Sequence, residues 1–217
     1  TPMVFGVYDK ARLAIYFECL NKAFKDCHTR ISFEVMTPTH AIAIHYVDGK
    51  FFIQDPNQLR CGLDSFTSES LATFMTQSNF VLSTRAFISP DTEEENQQLF
   101  TKAWEALQQN EQWKNIHSIT QERVMIQDSS NCTLLYLIAQ SGHLEALLDL
   151  INSLNTEDKK ALIEGVNNDG STPLWIAAHN GHLEVVLALI NSLNTEDQKA
   201  LIEKTDKNGT TPLWIAA

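Results

Sequence analysis

His40 and Asp55 are the residues in this chain most suited by type and spacing to do chemistry. They lie in the phrase HAIAIHYVDGKFFIQDPN, residues 40–57. Two runs rich in β-branched and apolar residues flank Asp48-Gly49. That dipeptide is a strong hairpin signal, because a type I′ turn needs positive φ at both positions. With Asp48 and Gly49 as the loop, Val47 faces Lys50, His45 faces Phe52, Ile42 faces Asp55 and His40 faces Asn57. Partners across strands share a face, as do residues two apart along a strand. His40, Ile42, Asp55 and Asn57 therefore fall on one face, with His40 and Asp55 as diagonal neighbours. A carboxylate that accepts from one imidazole nitrogen fixes the tautomer and frees the other nitrogen to take a proton. His45 has the opposite parity, so the pairing selects His40. The plain alternatives are a surface His–Asp pair and a turn opened by Asp55-Pro56-Asn57.

The run H-A-I-A-I-H-Y-x-D-G-K-F-F-I-Q-D-P-N resembles the His-to-Asp stretch of papain-like cysteine proteases, in particular bacterial effector proteases of the YopT and AvrPphB kind. The resemblance implies a peptide hydrolase or related acyl transferase. A thiolate would be the nucleophile, His40 the base and Asp55 the residue that orients the ring. Family order places the cysteine well upstream of the histidine. Cys19 lies inside AIYFECLNKAF, which has helical periodicity, and lacks the helix N-terminal field that lowers a thiol pKa. Cys27 precedes the first strand of this run, and Cys61 follows Asp55, which is the wrong order. Two explanations stand: the nucleophile lies upstream of Thr1 in a longer protein, or the fold has lost it and only binds.

The other end of the chain repeats. Thr133-Leu134-Leu135-Tyr136, Thr172-Pro173-Leu174-Trp175 and Thr211-Pro212-Leu213-Trp214 recur, as do Gly142-His143-Leu144-Glu145 and Gly181-His182-Leu183-Glu184. INSLNTED followed by KALIE occurs twice. Pro173 and Pro212 suit a first helical position, and Thr172 and Thr211 suit the N-caps before them. Each helix pair has an apolar face that only stacked neighbours can bury. The pattern resembles ankyrin repeats, lengthened by about six residues on the family's usual period of about 33. The extra residues are expected to extend the second helix or its outgoing loop. Trp175 and Trp214 stand where the family has histidine. Asp169 and Asp206 fall near the turns, where ordinary turn chemistry accounts for them. His143 and His182 are read as helix N-terminal structure. The chain stops inside a first helix, so more repeats are expected to follow in the intact protein.

These elements give an expected architecture: an α+β papain-like half-domain of antiparallel sheet plus helices, then an all-α ankyrin solenoid. The expected boundaries are 1–90 for the protease-like part, 91–128 for a helical linker and 129–217 for about two and a half repeats. Helices are expected near 9–26, 68–77 and 92–109, and strands near 31–35, 40–47, 51–55 and 80–88. Trp104 and Trp113 are expected to pack at the junction of the modules.

Composition narrows the classes. The formal net charge of −11 argues against nonspecific nucleic-acid binding. No apolar run is long enough to span a bilayer. Four scattered cysteines without a C-x-x-C argue against a disulfide scaffold or a zinc site and fit a reducing cytosol. No Gly-rich phosphate loop is present, so no ATP or NAD site is expected, and with no His–Cys cluster no metal is expected either; no cofactor is implied. Ankyrin repeats joined to a protease-like domain resemble the ankyrin effectors of Legionella. That resemblance implies secretion into a host cell, action in the host cytoplasm or nucleus, a host protein bound by the repeats, and a protein substrate. The competing class is a binding adaptor on a degenerate protease-like scaffold.

Overall fold

The computed structural model describes residues 3–54, 65–75 and 80–216. The chain divides into two compact units, Thr1–Ser118 and Ile119–Ala217.

The first unit runs β1 (Val4–Tyr8), α1 (Lys10–Phe24), β2 (Ile31–Met36), β3 (Ala41–Val47), β4 (Lys50–Gln54), β5 (Ser65–Phe66), α2 (Ser68–Met75), β6 (Phe80–Ile88), α3 (Glu94–Gln109) and α4 (Glu111–His117). The strands form one sheet in the order β1-β6-β2-β3-β4-β5, with every described pair antiparallel. Alternation defines its inner face. Ile31, Phe33 and Val35 of β2 are buried, as are Ile44 and Tyr46 of β3 and Leu82 and Ala86 of β6. The intervening Ser32, Glu34 and His45 are half-buried and Arg85 is exposed, which is the period-two signature of a sheet covered on one face.

Helix α1 starts because the Asp9 side chain accepts the Arg12 N–H at 2.8 Å, an N-cap reinforced by the Asp9–Arg12 ion pair. Its buried stripe is Leu13, Tyr16, Phe17, Leu20 and Phe24, the spacing of one helical face. Ile15 of the same helix is 38% exposed.

Helices α3 and α4 belong to this core. Phe24 stacks on Phe100 at 5.5 Å and lies beside Trp104 at 6.2 Å. Trp113 stacks on Tyr16 at 5.0 Å. Trp104 and Trp113 therefore belong to the core of the first unit. The division of the chain falls after Ser118, inside the segment 91–128.

The second unit runs α5 (Gln121–Val124), α6 (Leu134–Ser141), α7 (Leu144–Asn152), α8 (Thr156–Glu164), α9 (Pro173–His179), α10 (Leu183–Asn191), α11 (Thr195–Glu203) and α12 (Pro212–Ile215). Each repeat opens on the same Asx turn. Asp128, Asn167 and Asp206 each accept two backbone N–H groups, two and four residues on, at 2.8–2.9 Å. Thr133, Thr172 and Thr211 then cap α6, α9 and α12.

The repeat pattern leads us to expect an extended second helix or outgoing loop, but the extra residues form neither alone. They form separate third helices, α8 and α11, started by Asn155 and Asn194 as N-caps. Asn followed by acids in the first turn favours a fresh start, since both satisfy the positive N-terminal end. These third helices are stitched together. Lys160 Nζ reaches Asp197 at 2.5 Å, and Gln121 Nε2 donates to the Asp158 carboxylate one repeat earlier, each pair 37 residues apart.

Candidate functional site

The β3–β4 hairpin has the register expected from its turn. His45 pairs with Phe52 and Val47 with Lys50, and Asp48 and Gly49 have φ of 48° and 79°. His40 sits immediately before β3 and is half-buried. Its backbone closes the β2–β3 turn: Thr37 donates to the His40 carbonyl from N at 2.7 Å, and the His40 N–H donates to Thr37 Oγ1 at 3.0 Å. Asp55, Asn57 and Cys61 lie outside the described residues.

His45 points to the sheet's outer face, as its parity requires. It is the centre of a chain the sequence reading passed over. Ser32 Oγ lies 3.0 Å from His45 Nδ1, and His45 Nε2 lies 3.2 Å from Gln54 Oε1. Ser32 and His45 are direct partners across β2 and β3. The signal for this was the Thr37-Pro38-Thr39 turn, whose register fixes which β2 residue meets His45.

The described cysteines are poor nucleophiles. Cys19, Cys27 and Cys132 are buried free thiols, and burial pushes each pKa up. Cys132 is moved furthest, from 9.0 to about 12, with the Asp128 carboxylate adding to the effect. The folded state thus holds this proton longer than the unfolded chain does. Its contribution is complete below pH 9 and is lost as pH rises from there toward about 12. We expect the stability of the second unit to fall across that alkaline window, with Cys132→Ser flattening the fall. Denaturant titrations at stepped pH check this; identical slopes for the two proteins would contradict it.

The second unit repeats one aromatic position along its first helices. Tyr136, Trp175 and Trp214 occupy the same place on α6, α9 and α12 in successive repeats. Tyr136 is nearly covered, its hydroxyl accepting from Asn167 Nδ2 at 3.2 Å. Trp175 is half-buried and stacks on His179 at 5.2 Å. Trp214 is 69% exposed. The second unit also has an apolar groove of about 340 Å³ lined by residues that include Leu174, Val186, Ile190, Ile202 and Leu213. The turns that lead into these helices are tied across repeats. Asn168 N–H donates to the Ser130 carbonyl and Lys207 N–H to the Asp169 carbonyl, both at 2.9 Å. Asp206 is 8% exposed and consumed by its own turn, whereas Asp169 projects from its turn into solvent.

Stacked capped helix pairs, each preceded by an Asx turn and repeating in register, define a helical-repeat solenoid. A family model for ankyrin repeats, in three copies, matches residues 103–199 and 135–217, and the chain belongs to the ankyrin-repeat family. No curated protein matches the chain closely enough to count as a relative. Ankyrin repeats point to protein–protein interaction. Among the described residues, no helix is long and apolar enough to cross a membrane.

Proposed function

We propose that this chain is a docking protein whose ankyrin solenoid captures a host protein. In this reading it acts as a secreted bacterial effector of the Legionella type, inside the host cell. The observation that carries the docking role is the pair Trp175 and Trp214, half-buried and 69% exposed, which place large rings at the surface of the first helices of successive repeats, whereas Tyr136 at the same position one repeat earlier is buried. Rigid aromatic side chains are efficient anchors because they bury much area for little lost rotamer entropy. The repeating turns hold them in register.

Replacing Trp175 with Asp tests this. The change puts a charge where an indole stacks on His179. We expect partner capture to fall at least roughly tenfold, the loss of one interfacial anchor. We also expect the second unit to lose about 1–3 kcal/mol of stability. Pull-down from host-cell extract, with the unfolding midpoint measured alongside, reads both. Unchanged capture refutes the docking surface.

The protease-like reading of the first unit rests on the resemblance around His40 and Asp55 and on the Asp48-Gly49 hairpin. In it His40 is the base, Asp55 its orienter, and the nucleophile a cysteine other than the buried Cys19, Cys27 and Cys132. Labelling with an electrophilic cysteine probe tests it. If labelling is the same with His40→Ala, the reading falls and the first unit is a scaffold.

A further inference from the structure

The outer face of the sheet carries a connected nucleophile, base and acceptor. Ser32 from β2, His45 from β3 and Gln54 from β4 lie side by side, linked at 3.0 Å and 3.2 Å. Their directions are fixed by elementary chemistry. Gln54 Oε1 can only accept, so His45 Nε2 carries the hydrogen. In the neutral ring Nδ1 then holds a lone pair, and it accepts the Ser32 hydroxyl proton. Burial holds the imidazole pKa below the usual 6.5, with the Arg30 charge acting the same way against the Gln54 bond. The ring is therefore neutral and able to take a proton at neutral pH.

The surroundings suit an acyl group. Phe87 is the partner of Ser32 on its other side, and Phe52 is the partner of His45. Phe87 is 47% exposed and Phe52 half-buried, so apolar rings flank the hydroxyl and the imidazole in one row. The charged groups placed on this outer face by strand parity are Glu34 of β2, Lys50 of β4 and Arg85 of β6. Arg30, just before β2, is close enough for its charge to act on the imidazole.

We propose that Ser32 is a nucleophile, deprotonated by His45 and positioned through Gln54, that acts on esters with an apolar acyl group. Ser32 Oγ attacks the carbonyl carbon as its proton passes to His45 Nδ1. The tetrahedral oxyanion collapses, the bond to the alcohol breaks, and the alcohol leaves with the proton from Nδ1. Water then attacks the acyl-serine, giving one proton to Nδ1. That proton returns to Ser32 Oγ as the carboxylic acid departs. Ser32 and His45 are the catalytic residues of this step, and Gln54 is a positioning residue. The site uses neither His40 nor the repeats, so it stands or falls separately from the docking role.

The experiment is labelling of the intact chain with an alkyl fluorophosphonate that carries a reporter. An O–P bond forms at serine, fluoride leaves, and the proton goes to the base. We expect one adduct per chain, mapped to Ser32 by peptide mass. His45→Ala should slow labelling roughly 100-fold, the scale of a lost general base. Gln54→Glu should move the rising limb of the pH–rate profile to higher pH, because a carboxylate at Nε2 favours the imidazolium. No adduct, an adduct elsewhere, or an unchanged rate in His45→Ala overturns the proposal. Ser32→Cys provides a second reading through iodoacetamide. Its alkylation should slow when His45→Ala is added, and equal rates with and without His45 likewise overturn the proposal.

Discussion

Phe24→Ala is expected to unfold the first unit at a temperature roughly 10–20 °C lower while leaving the transition of the second unit in place, from a loss of about 3–5 kcal/mol. Phe24 has no exposed surface. It is where the sheet, α1 and α3 converge, touching Phe33 at 6.1 Å, Phe100 at 5.5 Å and Trp104 at 6.2 Å. Truncation to alanine removes the ring and leaves a cavity walled by three stiff aromatic groups that cannot collapse into it. Both the transfer term and the cavity term are then near the upper end of their range. Calorimetry on the whole chain separates the outcomes. Because Phe24 belongs to the unit that ends at Ser118, only one transition should move. A joint shift of both transitions would show that the units unfold as one.

The same aromatic convergence marks where the sequence could and could not be read. The hairpin was legible because its determinants are adjacent: Asp48-Gly49 forces the turn, and the turn forces every pairing along the two strands. Strand β1 was not foreseen. Val4–Tyr8 is short, contains Gly6, and becomes a strand only by pairing with β6, which lies far along the chain. Such a pairing leaves no local trace. Trp104 and Trp113 were legible as buried residues but not as to which core they enter, since periodicity gives a face and not its partner. In the repeats the period, the Thr caps and the Pro positions all transferred directly. The third helices did not, because Thr156–Glu164 and Thr195–Glu203 have weak apolar stripes, with only Leu162 and Ile163, and Leu201, buried. The Asn155 and Asn194 caps were the usable signal. For the candidate sites, strand parity put His45 on the face opposite the buried Ile44 and Tyr46. Parity alone could not supply the partners of His45, which come from two different neighbouring strands.

Gly142→Ala should destabilise the second unit by roughly 2–4 kcal/mol, whereas Gly181→Ala, the same position one repeat later, should cost only about 1–2 kcal/mol. Both glycines end a first helix with left-handed backbone, at φ of 72° and 74°, so both substitutions carry the same conformational cost. They differ in what a Cβ meets. At Gly181 there is open space, while at Gly142 it falls 2.5 Å from His182 Nδ1. That ring cannot retreat without loss, because its Nε2–H donates to the Gln140 carbonyl at 3.0 Å. The same carbonyl accepts from Asn180 Nδ2 at 2.8 Å. Gly142 thus marks a place where one repeat is bonded to the next through a histidine. Adding His182→Ala to Gly142→Ala removes the clash and should recover part of the loss, a coupling of about 1–2 kcal/mol of the kind found between touching residues. Denaturant unfolding of the four proteins in this cycle measures it. Strict additivity, or equal losses for Gly142→Ala and Gly181→Ala, would mean that the histidine bond contributes nothing to holding the solenoid in register. The stripe of Tyr136, Trp175 and Trp214 would then owe its alignment to the turns alone.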